Sequence, residues 1–306
     1  MKIIIYNISM VKYITLIFSD TNGKPSKHFR PTGYGGFSHN FNGYLKPLED
    51  IAKKLNRIAA LPPPWISLNT RHNNEKCIPK DLYWDEYFNF DTINNVTPKL
   101  MFDYEDNGDI ITSKSITYYS SNTNLTEMKT DSDIIVLVNH NHANGKRKIY
   151  TMLGGSGPIT YNISEKYKEL AKNIILKLNV TNFASIHIRR TDFLDNKILA
   201  PPRGTRPYTS PEFIEKFIKN KINKKIPIFI FTDEKDVTYK ETLVKLLKDY
   251  RLIFENEFHK FLDDSITNNN YSIYVLLCEI ANMSIINVGT HGYVRLGKNY
   301  HFRLSN

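Results

Sequence analysis

The sequence contains very little cysteine. Cys77 and Cys278 are the two cysteines among 306 residues, and their wide separation fits neither a disulfide framework nor a cysteine-based zinc site. A small disulfide-stapled domain is therefore excluded, and the fold must rest on an apolar core. With 41% hydrophobic residues the chain can build one. Because low cysteine use is typical of a reducing compartment, we predict a cytoplasmic protein and leave the secretory-pathway lumen open.

Long hydrophobic runs are also missing. The apolar N-terminal stretch MKIIIYNISMVKYITLIFSD is interrupted by Asn7 and Lys12, and no continuous run reaches the roughly 18 residues that a membrane span needs. We therefore predict no transmembrane segment, and we see no clear signal peptide. The alternation of apolar residues over 13–18 instead predicts a first β-strand.

Several nucleotide- and metal-binding motifs are absent from the sequence. Without a Gly-x-x-x-x-Gly-Lys-Ser/Thr loop the chain does not resemble a P-loop nucleotidase, and without Gly-x-Gly-x-x-Gly after a strand it does not resemble a dinucleotide-dependent dehydrogenase. It has no clear Asp-x-Asp site, and the two histidines in Asn139-His140-Asn141-His142 are weak evidence for a metal. These residues give little support for a bound metal or cofactor.

The sequence has fewer acidic than basic residues. Lys and Arg number 41 against 31 Asp and Glu, a formal net charge of +10, which favours anionic partners such as nucleic acid or a phosphorylated small molecule. The lysines are scattered along the sequence, however. That pattern favours an ordinary basic surface and argues against a nucleic-acid-binding protein.

The two halves of the chain differ in their pattern of predicted helices and strands, and we predict domains over 1–160 and 161–306. The first half has the strand 13–18, a glycine cluster, a helix over about 41–58 and weak strands near 110–119 and 134–138. The second half alternates helices with strands, which predicts an α/β layer with a parallel sheet. The predicted helices are 164–178, 211–220, 240–249 and 271–281, and the predicted strands are 183–188, 226–231, 252–254 and 284–288.

Polar residues follow three of the strands predicted for the second half. Since ligands of open parallel sheets bind beyond the carboxyl ends of the strands, these residues predict one pocket. Arginine and the backbone N–H groups of a helix start both suit phosphate oxygens, so an anionic nucleotide, a diphosphate, fits the pocket. The residues are Arg189, Arg190 and Asp192; Thr232, Asp233 and Glu234; and Gly289, Thr290, His291 and Gly292.

Strand alternation separates the two adjacent arginines. His187 and Arg189 share one face of the strand, and Arg190 points away or leaves the strand. We therefore predict that Arg189 binds the phosphate of the ligand. Arg190 either contacts the ligand or pairs with Asp192 to hold a turn, and His187 either contacts the ligand or is structural.

Residues 187–192, HIRRTD, resemble the His-x-Arg-Arg-x-Asp motif of fucosyltransferases. Residues 34–66 are similar to the N-terminal signature of protein O-fucosyltransferases, in which a glycine-bearing loop with an asparagine, here Asn40, precedes a long helix, Leu-Asn-Arg and Pro-Pro-Trp-Ile. Thr232-Asp233 resembles the family's middle motif, and IINVGTHGYVRL (285–296) resembles its late phosphate loop. The motifs occur in family order over about 13–297.

This resemblance implies an α/β fold of the GT-B glycosyltransferase type, with two Rossmann-like domains facing a cleft. The N-terminal domain would lie on the acceptor side, and the C-terminal domain would bind GDP-fucose. Transfer would invert the anomeric centre without a metal. Arg189 would bind the β-phosphate and stabilise the leaving GDP, and Asn40 would face the reacting sugar. The implied donor contacts are Gly35, Gly36, His187, Arg190, Asp192, Thr232, Asp233, Gly289, Thr290 and His291.

Two alternatives to a GDP-fucose-dependent fucosyltransferase remain open. One is a GT-B enzyme that uses another nucleotide sugar, and the other is a non-catalytic basic protein that binds glycan or nucleic acid. The acceptor, a protein or a glycan, is not named by the sequence. No carboxylate lies between positions 33 and 44, so we assign no catalytic base there.

Overall fold

The chain forms two compact units in the computed structural model, residues 1–164 and 165–306. The structure describes residues 12–18, 46–60, 84–89, 116–120, 123–128, 131–139, 162–190, 209–289 and 302–303, with shorter pieces between 64 and 111. The boundary lies close to the predicted division after residue 160. The acceptor-side and donor-side roles of the two units stay predictions.

The N-terminal unit is built on a parallel sheet. Its elements are β1 (Tyr13–Phe18), α1 (Lys46–Lys54), β2 (Ile58–Ala60), β3 (Val96–Thr97), β4 (Asp103–Tyr104), β5 (Ile110–Ile111), β6 (Ile116–Ser120) and β7 (Ile134–Asn139). Five of these strands form a sheet of order β3-β2-β1-β7-β6, and β4 and β5 form a separate antiparallel pair. The predicted strand 13–18 is confirmed at both ends, whereas the stretch 110–119 holds two short strands.

The core of the N-terminal unit lies around its central strands. Ile14 and Thr15 of β1 are fully buried, and so are Ile134, Ile135 and Val136 of β7. Consecutive buried residues are expected where both faces of a parallel sheet are covered. Helix α1 adds an apolar stripe of Leu48, Ile51 and Ala52 to this core.

Helix α1 ends earlier than predicted. The apolar spacing predicted a helix that continues to Ile58, but α1 ends at Lys54 and Ile58 begins β2. The predicted start of the helix lies outside the described residues. Asn56 has a φ of 51°, and the N–H of Arg57 donates to the carbonyl of Ala52 over 2.8 Å. This is a left-handed C-cap, which asparagine tolerates better than most residues. It turns the chain from the helix into the sheet.

Arg57 is a buried cation that joins neighbouring strands of the N-terminal sheet. It is 4% exposed, and its guanidinium donates to the carbonyls of Tyr13 (2.9 Å), Ser132 (2.7 Å) and Asp133 (3.2 Å). These carbonyls lie at the amino ends of β1 and β7. Burial lowers the pKa of Arg57, and the charge of Asp133 opposes that shift. The cation thus ties two strand starts together.

The C-terminal unit alternates helices and strands, as predicted. Its elements are α2 (Glu165–Lys177), β8 (Ala184–Ile188), α3 (Pro211–Lys221), β9 (Ile228–Thr232), α4 (Val237–Leu246), β10 (Leu252–Phe254), α5 (Glu255–His259), α6 (Asp264–Thr267), α7 (Asn270–Met283), β11 (Ile286–Gly289) and β12 (Phe302–Arg303). The strands form a parallel sheet of order β10-β9-β8-β11-β12. Strand β8 is therefore central.

Both faces of this sheet are covered. One face carries the side chains of Ile186 and Ile188, which pack in one cluster with Ile214 of α3 and Leu243 of α4. On the other face, the ring of Phe229 lies 4.9 Å from Phe183 and 6.2 Å from Phe258, and α7 contacts both β8 and α2. The result is a layer of helices on each side of a buried sheet, as an α/β pattern predicts.

Local capping fixes where the helices begin. Ser210 accepts the N–H of Phe213 (3.2 Å) at the start of α3, with Pro211 in the first turn as predicted. Asp236 accepts the N–H of Thr238 (2.9 Å), so α4 begins at Val237, earlier than the predicted 240. An N-cap carboxylate satisfies helix N–H groups that have no partner within the helix.

Candidate functional site

Three adjacent strand ends bring the predicted site residues together. β8 lies between β9 and β11, with Ile188 opposite Thr232 and His187 opposite Gly289. Arg189 and Asp233 follow directly on these strands. Among the described residues, the carboxyl edge of the C-terminal sheet therefore brings the polar ends of β8 and β9 together beside Gly289 of β11. Ligands of open parallel sheets bind at this edge.

His187 lies on the face of β8 opposite the Ile186–Ile188 side. Its ring is partly buried, and burial lowers the pKa of His187 to about 4; Asp233 opposes this shift and Arg189 adds to it. The charges of Arg189 and Asp233 thus act on the same ring from the ends of two neighbouring strands. His187 is neutral at neutral pH and can offer one hydrogen-bond donor and one acceptor.

Arg190 lies on the other face of the strand and is engaged by protein groups. Its Nε pairs with the carboxylate of Glu234 at 2.5 Å, and its Nη1 donates to the carbonyl of Thr209 at 2.8 Å. The guanidinium carbon also lies 4.1 Å from the ring centroid of Tyr239, whose hydroxyl donates to the same Thr209 carbonyl over 2.7 Å. Arg190 thereby joins the end of β8 to the end of β9 and to the starts of α3 and α4.

The backbone around Arg190 is also fixed by a site residue. The N–H of Arg190 donates to Oδ1 of Asp233 over 2.6 Å, and Thr232 Oγ1 accepts the N–H of Glu234 over 3.1 Å. The first contact holds the backbone next to Arg189, and the second holds the turn after β9. The carboxylate of Asp233 remains exposed, so it can accept further hydrogen bonds from a ligand.

Glu234 is ionised at neutral pH. Burial alone would raise its pKa, but the N–H of Asp236 and the guanidinium of Arg190 donate to the carboxylate, and the net pKa is lowered. Its side chain is 10% exposed and that of Arg190 is 16% exposed. The two charges form a largely buried pair at the sheet edge, where one without the other would be costly.

Several predicted site residues lie outside the described part of the chain. Asn40 and the glycines at 35 and 36 belong to this group, as do Asp192, Thr290 and His291. Their roles stay predictions. Gly289, which belongs to the predicted phosphate loop, lies buried beside His187 at the end of β11.

Three residues that fix this edge, namely Glu234, Thr209 and Tyr239, had no predicted role, although Glu234 belongs to the predicted polar cluster. Glu234 directly follows the predicted Thr232-Asp233 pair, and strand alternation places it on the Arg190 face. That signal was available in the sequence. Thr209 and Tyr239 have no local signal, because their contacts with Arg190 depend on how α3 and α4 pack.

The described residues contain neither a metal-ligand cluster nor a membrane-spanning helix. Within that part of the chain, no group of three or more His, Cys, Asp or Glu side chains is placed to hold a metal ion. Among the described helices, none is both long and apolar enough to cross a membrane. The predicted independence from metals stays a prediction.

Solved structures provide the comparisons. A crystal structure of POFUT1 in complex with GDP-fucose has 13% sequence identity and a TM-score of 0.50, and covers 91% of this chain and 91% of its own. NodZ, a fucosyltransferase from Bradyrhizobium, has 8% identity and a TM-score of 0.47, with coverages of 90% and 88%. Arabidopsis thaliana FUT1 has 8% identity and a TM-score of 0.39, with coverages of 93% and 67%. No protein-family model matches the chain, and no curated protein sequence matches it.

The match to POFUT1 concerns the fold. At 13% identity it says nothing of which residues act. The chain has an α/β fold with two parallel sheets, one in each compact unit, and shares the GT-B fold of the POFUT1 structure. The predicted fold class is confirmed.

Proposed function

We propose that this chain is a glycosyltransferase that moves L-fucose from GDP-fucose to a hydroxyl of a protein or glycan acceptor. The observation that carries the proposal is the register of three parallel strands. It places Arg189, His187 and Asp233 at one carboxyl edge with Gly289 alongside. The POFUT1 structure that shares this fold is a complex with GDP-fucose, which supports the choice of donor.

The chemistry needs a fixed positive charge at the leaving group. Breaking the bond between the sugar carbon and the phosphate oxygen leaves negative charge on GDP. Arg189 would bind the β-phosphate and stabilise that charge, and a cation held in advance does this better than one that must reorganise. The Arg190 N–H to Asp233 contact of 2.6 Å would keep the turn carrying Arg189 in place.

The remaining roles follow the family resemblance. Asn40 would face the reacting sugar, and Gly35 and Gly36 would let the backbone approach it closely. Thr290 and His291 would bind phosphate oxygens, and Thr232 and Asp192 would complete the donor contacts. An acceptor hydroxyl would attack the sugar on the face opposite GDP and invert the anomeric centre, without a metal.

Titration calorimetry of the purified chain tests the donor. We expect binding of GDP and GDP-fucose, weaker binding of UDP-glucose, and no effect of EDTA. Arg189→Ala should weaken GDP binding roughly 10- to 100-fold, the value of hydrogen bonds between charged partners. Arg251→Ala is the matched control, because Arg251 is an exposed arginine at the opposite edge of the same sheet.

Other results would contradict the proposal in distinguishable ways. A preference for GDP-mannose or a uridine sugar that still depends on Arg189 would favour the alternative GT-B enzyme with another donor. No nucleotide binding at all would leave the non-catalytic binding protein. Equal losses in the Arg189 and Arg251 variants would place the nucleotide elsewhere.

A further inference from the structure

The amino-terminal edge of the C-terminal sheet is strongly basic. Three helix-to-strand connections meet there: residues 178–183 before β8, 222–227 before β9 and 247–251 before β10. We call this surface the basic edge. Its cations, counting the last turns of α3 and α4, are Lys219, Lys221, Lys224, Lys225, Lys245, Lys248 and Arg251, all of them exposed.

Hydrogen bonds make these connections one continuous surface. The N–H of Ile228 donates to the carbonyl of Arg251 (2.8 Å), and that of Ala184 donates to Pro227 (2.9 Å). Arg251 Nη2 donates to the carbonyl of Leu178 over 2.6 Å. The basic edge therefore presents its charges on a fixed framework.

Few acidic groups balance this charge. Asp249 is the acidic residue in the three connections, and it pairs with Lys224 at 3.0 Å. Lys224, Lys248 and Lys219 all lower the pKa of Asp249, so these lysines converge from α3, the connection before β9 and the connection before β10. Glu215 of α3 pairs with Lys219. The basic edge keeps a clear positive excess.

Helix dipoles explain only part of the cluster. Lys219, Lys221 and Lys245 lie in the last turns of α3 and α4, where cations stabilise the helix end. Lys225 and Lys248 lie in the connections themselves, beyond the helices. A cluster of lysines that helix stability does not need fits an anionic partner.

Aliphatic side chains accompany the charge. Ile285, which precedes β11 at the same edge, is 48% exposed, and Leu176 in the last turn of α2 is 77% exposed. The N–H of Ile285 donates to the carbonyl of Phe183 over 2.9 Å, which fixes it beside the connection before β8. Lysines with exposed aliphatic residues match the headgroups and upper acyl region of a membrane.

Nucleic acid is the less suitable anion. Stacking on bases uses exposed aromatic rings, but the aromatic residues of the three connections, Phe183 and Tyr250, are buried. Arginine, the residue that best binds phosphate in a fork geometry, occurs there as Arg251 alone, and Arg251 is bonded to a backbone carbonyl.

We propose that the basic edge docks the protein onto the anionic surface of a phospholipid membrane. The contact would be electrostatic, with Lys221, Lys225 and Lys248 facing the headgroups and Ile285 adding apolar contact. It lies at the opposite edge of the sheet from Arg189, so it does not depend on the proposed transferase activity.

Vesicle co-sedimentation of the full chain tests this surface. We expect binding to vesicles of phosphatidylcholine with phosphatidylserine and none to phosphatidylcholine alone. Binding should weaken as salt is raised, because exposed charges are screened. The triple variant Lys221→Glu/Lys225→Glu/Lys248→Glu should lower the partition coefficient about 100-fold or more, since each lysine near an anionic surface contributes about fivefold.

The matched control reverses three exposed lysines elsewhere, Lys54→Glu/Lys166→Glu/Lys260→Glu, with the same change in net charge. It should bind vesicles almost as the unchanged protein does. If the triple glutamate variant unfolds, as judged by circular dichroism, the triple glutamine variant takes its place with a smaller expected loss. Ile285→Ser should reduce the binding that survives high salt.

Three results would overturn the proposal. One is no binding to the anionic vesicles at low salt, and another is an equal loss in the control variant, which would mean that net charge alone matters. The third is tight binding of a single-stranded RNA through the same lysines without vesicle binding, which would identify a nucleic-acid surface instead.

Discussion

The adjacent residues Arg189 and Arg190 have different roles because their side chains lie on opposite faces of the sheet. Arg190 pairs with Glu234 at 2.5 Å and stacks on Tyr239 at 4.1 Å, which makes it part of the framework. The charge of Arg189 instead acts on His187, on the other face. Side-chain alternation along β8 is sufficient to separate the two arginines.

A double-mutant cycle tests the role of Arg190. Arg190→Ala should lower the free energy of unfolding by roughly 3 kcal/mol, because it leaves a largely buried carboxylate without its cation. Glu234→Ala should cost a similar amount, and the double variant much less than the sum, with a coupling of about 1–3 kcal/mol. Urea denaturation measures all three values. Additive losses would mean that the 2.5 Å pair contributes nothing to stability.

His187 should make stability depend on pH. Burial lowers its pKa from 6.5 to about 4 in the folded chain, so between these values the unfolded chain binds the proton more readily. The free energy of unfolding should therefore decrease as the pH falls from 6.5 to about 4. The loss reaches roughly 3 kcal/mol at 1.36 kcal/mol per pKa unit.

The comparison with His187→Gln isolates this effect from other titrating groups. Thermal unfolding of both proteins across this pH range should show a difference in stability that shrinks as the pH falls. A difference that stays constant with pH would mean that His187 titrates normally in the folded chain.

At the scale of elements, the same helix ending precedes a strand in each unit. Asn56 follows α1 with a φ of 51°, and Asn179 follows α2 with a φ of 52°. The N–H of Val180 donates to the carbonyl of Ile175 over 3.1 Å, as that of Arg57 does after α1. Asparagine supplies the left-handed residue in both connections.

Substitutions at Asn179 test this cap. Asn179→Ala should destabilise the chain by about 1 kcal/mol, because alanine disfavours the left-handed conformation, while Asn179→Gly should be neutral or stabilising. Asn173→Ala is the control, since this exposed position lies within α2 and alanine favours a helix. If chemical denaturation gives Asn179→Ala a higher free energy of unfolding than Asn179→Gly, the left-handed cap is contradicted.

Arg57 connects elements that are distant in sequence. Replacement by Met keeps much of the side-chain volume but removes three hydrogen bonds to backbone carbonyls. The shortest of them is 2.7 Å, to Ser132. Amide exchange at the starts of β1 and β7 should accelerate, and stability should fall by about 2–4 kcal/mol. Hydrogen exchange measures this, with Lys53→Met in the exposed last turn of α1 as control. Unchanged exchange at both strands would contradict the role.

Local patterns predicted most elements of the C-terminal unit but missed some ends. Both ends of strand 252–254 were predicted correctly, because charged residues bound the apolar run there. The helix over 240–249 was placed too late, since the cap at Asp236 was not recognised. The first helix was predicted to continue to Ile58 because the apolar spacing continues past Asn56. The positive φ of Asn56, which ends the helix, cannot be read from that spacing.

At the scale of the whole molecule, the site depends on strand order. The sequence predicted that polar groups meet at one edge of a parallel sheet, which holds for any parallel order. It could not predict that β8 lies between β9 and β11, or that Arg190 contacts Thr209 and Tyr239. Such contacts arise from packing and have no local pattern.

The two edges of the C-terminal sheet should act separately. GDP should protect the carboxyl edge and leave the basic edge unchanged, because the strands between them are buried and regular. Anionic vesicles should do the reverse. The two edges can therefore be tested with the same protein and the same readout.

Hydrogen exchange with and without GDP shows whether the nucleotide binds at the carboxyl edge. We expect slower exchange at residues 187–190 and 232–234 on adding GDP, no change at 222–227 or 247–251, and loss of the effect in Arg189→Ala. Protection elsewhere, or protection that survives Arg189→Ala unchanged, would contradict the account and place the nucleotide outside the edge formed by β8, β9 and β11.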